Sequence, residues 1–447
     1  MNGYITTVLN ELNAKLSHEK EFLQSVNEVV SSLSVLVDKE ENIYRKYSVL
    51  ERIVIPDRII TYQIPWIDDN NNVQVNVGYR VQFNNVLGPY KGGLRLHPSV
   101  NLSIIKFLGF EQIIKNSLTD LPIGGGKGGS DFNPKGKSDF EIMKFCQNLM
   151  RELYRHIGSE TDVPAGDIGV GAREIGYLYG QYKKIKNEHV GMLTGKGINW
   201  GGSLVRPEAT GYGSVYFMNE MLKNKDIEIN NKTAMVSGSG NVAQFTIEKA
   251  IQMGCKVITV SDSNGTIIDM DGINEEKLTF IKILKNKDRG SISKYAEKFK
   301  HAEYIHNKKP WGLVQADLIF PSATQNEIND KDALELVKNK CIAVSEGANM
   351  PSTPEAIKVF LGNNILFGPG KAANSGGVAV SALEMAQNSQ KLRWSFEEVD
   401  KKLHSIIKNI HDKILLMSKI YGTKNYVDGA NIAGFKKVAD AMIDMGI

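Results

Sequence analysis

Cysteine, histidine and long apolar runs are scarce in this sequence, and each shortage removes a class of function. The three cysteines among 447 residues, Cys146, Cys255 and Cys341, lie far apart in apolar surroundings. That excludes a disulfide framework and leaves no paired spacing for zinc, so a reducing compartment and no metal are expected. No stretch approaches the ~20 apolar residues needed to cross a bilayer, which argues against a membrane partner. Residues 1–20 mix acidic, polar and apolar side chains, unlike a signal or transit peptide, and a cytoplasmic location is the expectation. A net charge of +4 over the whole chain is too small to call for nucleic acid. Among the eight histidines, His97 precedes a proline and His156 lies in a helical run, and no Ser-His-Asp or Cys-His arrangement stands out. The chain shows no fixed-period repeat, which excludes a solenoid.

What is present is a globular composition, 42% hydrophobic and 23% charged. Apolar residues recur every three or four positions over 6–47 (Val8, Leu9, Leu12, Leu16, then Phe22, Val26, Val29, Val30, Leu33), the pattern of amphipathic helices that serve packing or assembly. Alternating Val-, Ile- and Tyr-rich runs at 58–66 and 73–83, joined by Asp68 and the asparagines after it, predict a β-hairpin. Helical runs follow at 104–117 and 139–156. Around 195–213 the chain turns loop-like, with Gly201-Gly202 and Arg206-Pro207, and reads as an interdomain hinge before a helix beginning near Gly213. Beyond it, apolar runs at 232–237, 256–261, 313–320, 341–345 and 365–367 alternate with helical segments, as in a parallel sheet. The expected fold is α/β in two domains. A mixed-sheet substrate and assembly domain spans 1–200, joined by a C-terminal helix at about 425–447, and a Rossmann-type doubly wound dinucleotide-binding domain spans 201–424.

The run Gly238-Ser239-Gly240-Asn241-Val242-Ala243 follows a predicted strand and opens a predicted helix. Gly238 permits the tight turn, Gly240 lets the backbone approach a pyrophosphate, Ala243 allows close helix packing, and the helix N-terminus attracts negative charge. The next strand ends in Ser261-Asp262, at about the roughly 20-residue distance expected of an adenosine-ribose reader. Alone, Asp262 favours NAD, because a carboxylate repels a 2′-phosphate. Lys282, Lys285, Lys287 and Arg289 supply a basic cluster just downstream, which suits NADP.

Four segments of the first half combine lysines with glycines or an acid: Lys91-Gly-Gly-Leu-Arg95, Glu111-Gln112-Ile-Ile-Lys115, Gly124-Gly-Gly-Lys127-Gly-Gly, and Pro164-Ala-Gly-Asp167. Cations among bare backbone suit a small dianion. Gln112 and Lys115, three apart on a helix, share a face and fit one carboxylate. A nucleotide P-loop is excluded around Lys127, since Leu121 stands where that motif needs Gly, and Gly128 where it needs Ser or Thr.

These segments, with Ser345-Glu-Gly-Ala-Asn349-Met-Pro and Ala372-Ala-Asn374-Ser-Gly-Gly through Ser381 to Asn388, resemble those of the glutamate dehydrogenase family, in family order over most of the chain. The resemblance implies that Lys91 and Ser381 bind the distal carboxylate of glutamate, and that Gln112 and Lys115 bind the α-carboxylate. It also implies that Lys127 activates the water that adds to the imine while Asp167 moves the amine protons. Asn349 and Asn374 are then expected near the nicotinamide, Thr210 and Asn241 at its amide and phosphates, and Arg206 near the substrate. Length, loop sequences and the pair Ser261-Asp262 are similar to the shorter, hexameric, mostly NADP-using branch. NADP is therefore expected, with NAD open, as are glutamate, 2-oxoglutarate and ammonia as small-molecule partners and a homohexameric assembly. A related leucine, valine or phenylalanine dehydrogenase and a non-catalytic dinucleotide sensor are the competing readings.

Overall fold

The alternating residues of the expected hairpin form β1 (Arg58–Ile67) and β2 (Val73–Asn84), paired antiparallel in register from Arg58 with Gln82 to Ile67 with Val73. Asp68 closes the turn by accepting from the backbone of Asn70 and Asn72, each at 2.9 Å. The computed structural model describes residues 2–446. Three further strands complete the first sheet: β3 (Tyr90–Leu96), β4 (Gly125–Ser130) and β5 (Asp162–Gly166). Its order is β1-β2-β4-β3-β5, with β3 parallel to β4 and β5 and the other pairs antiparallel.

The sequence does not announce β4, since glycine disfavours strands. Packing overrides that preference. A Cβ at Gly125 would fall 2.6 Å from Ile113, and one at Gly128 would fall 2.8 Å from the Tyr79 carbonyl, so bare residues let the helix Leu102–Leu118 and β2 close on the strand. The N-terminal helices bury Val8, Leu9, Leu12, Phe22, Val26, Val29, Val30 and Leu33 in one cluster with Val81 and Phe83 of β2. Helices Asp139–Leu153 and Ala172–Lys186 pack in a separate cluster with Ile64, Trp66, Leu94 and Leu96.

The second domain carries β6 (Thr233–Val236), β7 (Lys256–Val257), β8 (Thr259–Asp262), β9 (Gly265–Ile268), β10 (Glu303–His306), β11 (Leu318–Phe320), β12 (Ala343–Ser345) and β13 (Leu366–Gly368). Its parallel sheet runs β13-β12-β11-β6-β7, and β8, β9 and β10 form a separate antiparallel meander. The run expected at 256–261 thus divides between the two sheets at Ile258. The run expected at 313–320 shortens to β11, because Asp317 spends its backbone and carboxylate on Thr233 and so fixes where pairing begins. Strand order reverses between β6 and β11, the switch point at which such sheets bind ligands.

The helix expected from Gly213 begins earlier, as Ala209–Lys223. Gly211 and Gly213 are helical because the neighbouring helices leave no room: a Cβ at Gly211 would meet the Thr246 nitrogen at 2.5 Å, and one at Gly213 the Gly376 Cα at 3.1 Å. The preceding linking segment is tied to the helix Gly376–Gln390. Glu384 accepts from the backbone of Gly195 and Lys196 and pairs with the buried Lys196 ammonium at 2.7 Å, and Asn388 donates to the Gly201 carbonyl. The last helix, Tyr426–Asp444, returns to the first domain. Its Gly434 lies against Ile114 and accepts from the Ser117 hydroxyl at 3.0 Å, and Ile432, Phe435 and Val438 join the N-terminal cluster.

Candidate active site

Alternation along β3 places Lys91, Gly93 and Arg95 on one side of the strand, while β4 delivers Lys127 and the residue after β5 is Asp167. Lys127 and Asp167 come together as the resemblance implies, with Nζ 3.3 Å from Oδ2 and the lysine 6% exposed. Burial is the main force pushing Lys127 below its ordinary value; Asp167 opposes that shift, and the positive charges of Arg95 and Arg80 add to it. Burial alone would raise Asp167, but the ammonium of Lys127 and the guanidinium of Arg95 together hold it below the usual carboxylate range.

Lys115 is lowered to about 8, first by burial and then by repulsion from Lys127. It donates to the side-chain Oδ1 of Asn374, and Asn374 donates to Ala348 O at 2.9 Å and to Asn349 Oδ1 at 2.8 Å, so Asn374 of the second domain links Asn349 to the lysine of the first. Gln112 turns instead to Asn116 at 2.6 Å, and Asn116 donates to the Lys91 carbonyl at 3.1 Å. Gln112 and Lys115 share a helix face but not a partner. Lys91 is 1% exposed and donates to Thr194 Oγ1 at 2.9 Å. Its burial, with Arg206 and Arg80 nearby, holds it well below the ordinary lysine value. Arg206 donates to the Ser381 hydroxyl at 2.9 Å, which donates on to the Gly377 carbonyl. Lys91, Lys115, Lys127, Arg95 and Arg206 thus gather five buried or mostly buried cations, of which only Lys127 and Arg95 contact the Asp167 carboxylate, an excess of positive charge that a dianionic ligand would offset.

The dinucleotide motif stands at the switch point. Gly238 has φ +83, and a Cβ there would meet Ser322 O at 3.0 Å, so only glycine fits this turn against the chain leaving β11. Ser261 fixes the turn by accepting from Gly238 N at 2.8 Å. The helix Asn241–Gln252 starts with no side-chain cap, and a Cβ on Gly240 would meet nothing within 4 Å. An uncapped helix N-terminus beside open space fits a pyrophosphate. Ser239 is buried and its carbonyl accepts from Gln244, and Val242 sits one turn-position inside the helix near Gly347. Asn241 donates to Pro207 O at 2.6 Å, which joins the motif to the segment bearing Arg206, and Thr210 lies against Gly377.

Asp262 is placed at the end of β8, but its carboxylate is already engaged. It accepts from Asn264 N at 2.9 Å and Ile292 N at 2.8 Å, and Lys285 Nζ lies 3.3 Å away. Lys282 pairs with Glu248 instead. The basic cluster thus divides, and Lys285 is the member that neutralises Asp262.

Sequence reasoning passed over Arg95, Thr194 and Asn116. Arg95 was findable, since period-two spacing puts it on the face of Lys91; Thr194 and Asn116 reach the site only through tertiary packing.

Profiles described as Glu/Leu/Phe/Val dehydrogenase, dimerisation domain, and Glutamate/Leucine/Phenylalanine/Valine dehydrogenase match residues 56–184 and 201–446. The chain is 58% identical to an NADP-specific glutamate dehydrogenase of Giardia intestinalis, covering 96% of both chains. It is 56% identical to an NAD(P)-specific glutamate dehydrogenase of Xylanibacter ruminicola, covering 99% of each. The crystal structure of Plasmodium falciparum glutamate dehydrogenase superposes with a TM-score of 0.97 at 52% identity, covering 99% of this chain and 94% of that one. The chain belongs to the Glu/Leu/Phe/Val dehydrogenase family.

Proposed function

We propose that the protein is a glutamate dehydrogenase that interconverts L-glutamate with 2-oxoglutarate and ammonia, using NADP and accepting NAD less well. The observation that carries this reading is Lys91, a buried cation beside Arg206 and 103 residues from its partner Thr194 in sequence. An apolar side-chain pocket, as a leucine, valine or phenylalanine substrate needs, would leave that charge uncompensated at a cost of several kcal/mol. A distal carboxylate compensates it.

Lys91 and Ser381, the latter oriented by Arg206, bind the distal carboxylate, and Lys115 with Gln112 binds the α-carboxylate. Bound in the cleft, the dinucleotide supplies the acceptor for the hydride that leaves Cα. Asp167 takes protons from the amine, and Lys127, whose burial shifts it toward the neutral form, draws a proton in that form from the water that adds to the imine carbon. Gly238, Ser239, Gly240, Asn241 and Val242 would hold the pyrophosphate, Thr210, Asn349 and Asn374 the nicotinamide end, and Ser261, Asp262 and Lys285 the adenosine end. With its negative charge met by Lys285, Asp262 no longer excludes a 2′-phosphate, which supports NADP.

The two sheets and the return of the last helix support a division into 1–200 with the C-terminal helix, and 201–424. A homohexamer is the proposed assembly, and cytoplasmic ammonia assimilation the proposed setting. Oxidation of NADPH in the presence of 2-oxoglutarate and ammonia, with NADH in parallel, tests substrate and cofactor together. Turnover with both keto acid and ammonia present is expected, faster with NADPH; turnover with branched or aromatic keto acids alone would overturn the substrate, and none at all would favour a sensor.

A further inference from the structure

Arg95 ends the run that begins at Lys91, yet the chemistry above gives it no task. It is 12% exposed and its Nε donates to Asp167 Oδ2 at 2.8 Å, the same oxygen that Lys127 approaches at 3.3 Å. Among the described residues no hydrogen bond reaches Oδ1. Gly93 makes this contact possible: a Cβ there would lie 2.7 Å from Gly166 O and 2.9 Å from Asp167 Cβ, so a bare residue lets Asp167 settle on β3 within reach of Arg95.

We propose that Arg95 is the positioning residue of the reacting pair: it pins Oδ2 of Asp167, leaves Oδ1 facing the substrate amine, and keeps the carboxylate from settling wholly on Lys127. The inference rests on the reading of Lys127 and Asp167 as that pair. A guanidinium suits the task because it stays charged at every working pH and never competes for the proton. A carboxylate shared between two cations stabilises the ammonium of Lys127 less than one it owned outright, and the charge of Arg95 opposes that ammonium directly. The proton leaving the amine passes to Oδ1, its N–H bond breaking as the O–H bond forms. Both directions agree with the surroundings, in which Asp167 is lowered with the help of Arg95 and Lys127 is lowered with its help as well. The other charged groups acting on the pair are Arg80 on β2, with its partner Asp162 on β5, and Lys115 on the helix Leu102–Leu118, which Glu111 and Arg206 act on in turn. All remain when Arg95 is replaced.

The test compares Arg95→Met and Arg95→Lys with the wild type, in pH profiles of glutamate oxidation and in a carboxyl ¹³C NMR titration of Asp167, assigned with Asp167→Asn. In Arg95→Met, kcat is expected to fall roughly 10- to 100-fold, the usual loss for a group that orients a reacting side chain, with KM for glutamate little changed. The acidic limb of the profile, along which Asp167 and Lys127 lose their protons, and the Asp167 midpoint should move to higher pH, and Arg95→Lys should restore that limb while recovering only part of kcat. A fall in kcat with limb and midpoint unmoved would reduce Arg95 to a packing role and overturn the proposal, as would an unchanged kcat. Arg95→Gln carries the same comparison should the methionine variant not fold. A wild type that fails to oxidise glutamate would sink the substrate reading alone, because the Asp167 titration still reports on Arg95.

Discussion

The substrate region and the dinucleotide region both rely on glycine, but they use it to opposite ends. On β3 and β4 glycines remove side chains so that backbone and helix can close around lysines, and the chemistry is done by buried charge. At the switch point glycine supplies a left-handed turn at Gly238 and open space at Gly240, and the binding groups are backbone amides. A site built of buried cations is costly unless a ligand completes it, whereas one built of amides is nearly neutral to the fold. Substitutions in the first region should therefore change chemistry and pH dependence, and those in the second should change cofactor affinity.

The largest effect is expected from Lys127→Ala. Loss of the group that activates water should lower kcat by about 10²- to 10⁴-fold while dinucleotide affinity, followed by NADPH fluorescence, stays within about twofold. A matching loss of affinity would break the separation of the two regions. Lys91→Leu comes next: removing one partner of a buried charged contact should cost about 2–5 kcal/mol in kcat/KM for glutamate, and monocarboxylic amino acids should gain. An unchanged preference would detach Lys91 from the distal carboxylate.

Legibility in the sequence followed the same line. The parallel sheet and the turn after β6 were readable because strand, glycine turn and helix are local in sequence. The lysine segments were readable as chemistry but not as structure. Gly125–Ser130 has no strand signal, and its conformation is imposed by Ile113, Tyr79 and Leu94, which approach from distant positions. Asp262 was placed correctly at a strand end, but its engagement by Lys285 and Ile292 depends on a loop 30 residues further along. Resemblance named Lys127 with Asp167, Lys91 with Ser381, and Arg206 near the substrate; the structure gave the contact of Lys127 with Asp167 and bonded Ser381 to Arg206.

A smaller effect follows from charge at the adenosine end. Lys285→Met should raise KM for NADPH by about tenfold, the worth of one charge-assisted contact, and leave KM for NADH nearly unchanged. Equal losses for both would make Lys285 a structural partner of Asp262 alone. On the substrate side, Lys115 at about 8 must be protonated to hold a carboxylate, so kcat/KM for glutamate should fall as pH rises through about 8. The smallest structural effect is expected at Gly240→Ala. With open space around it and φ near −81, the variant should keep its Tm while binding dinucleotide less tightly; Gly93→Ala, forced against Gly166 and Asp167, should lose stability instead.

The central claim is that burial, helped by the charges of Arg95 and Arg80, lowers the basicity of Lys127 so that its neutral form serves as the base, and ¹⁵N NMR titration of its side-chain nitrogen, assigned with Lys127→Arg, tests it most directly. A midpoint below the ordinary lysine value of 10.5 is expected in the wild type. A midpoint at or above that value would contradict the account.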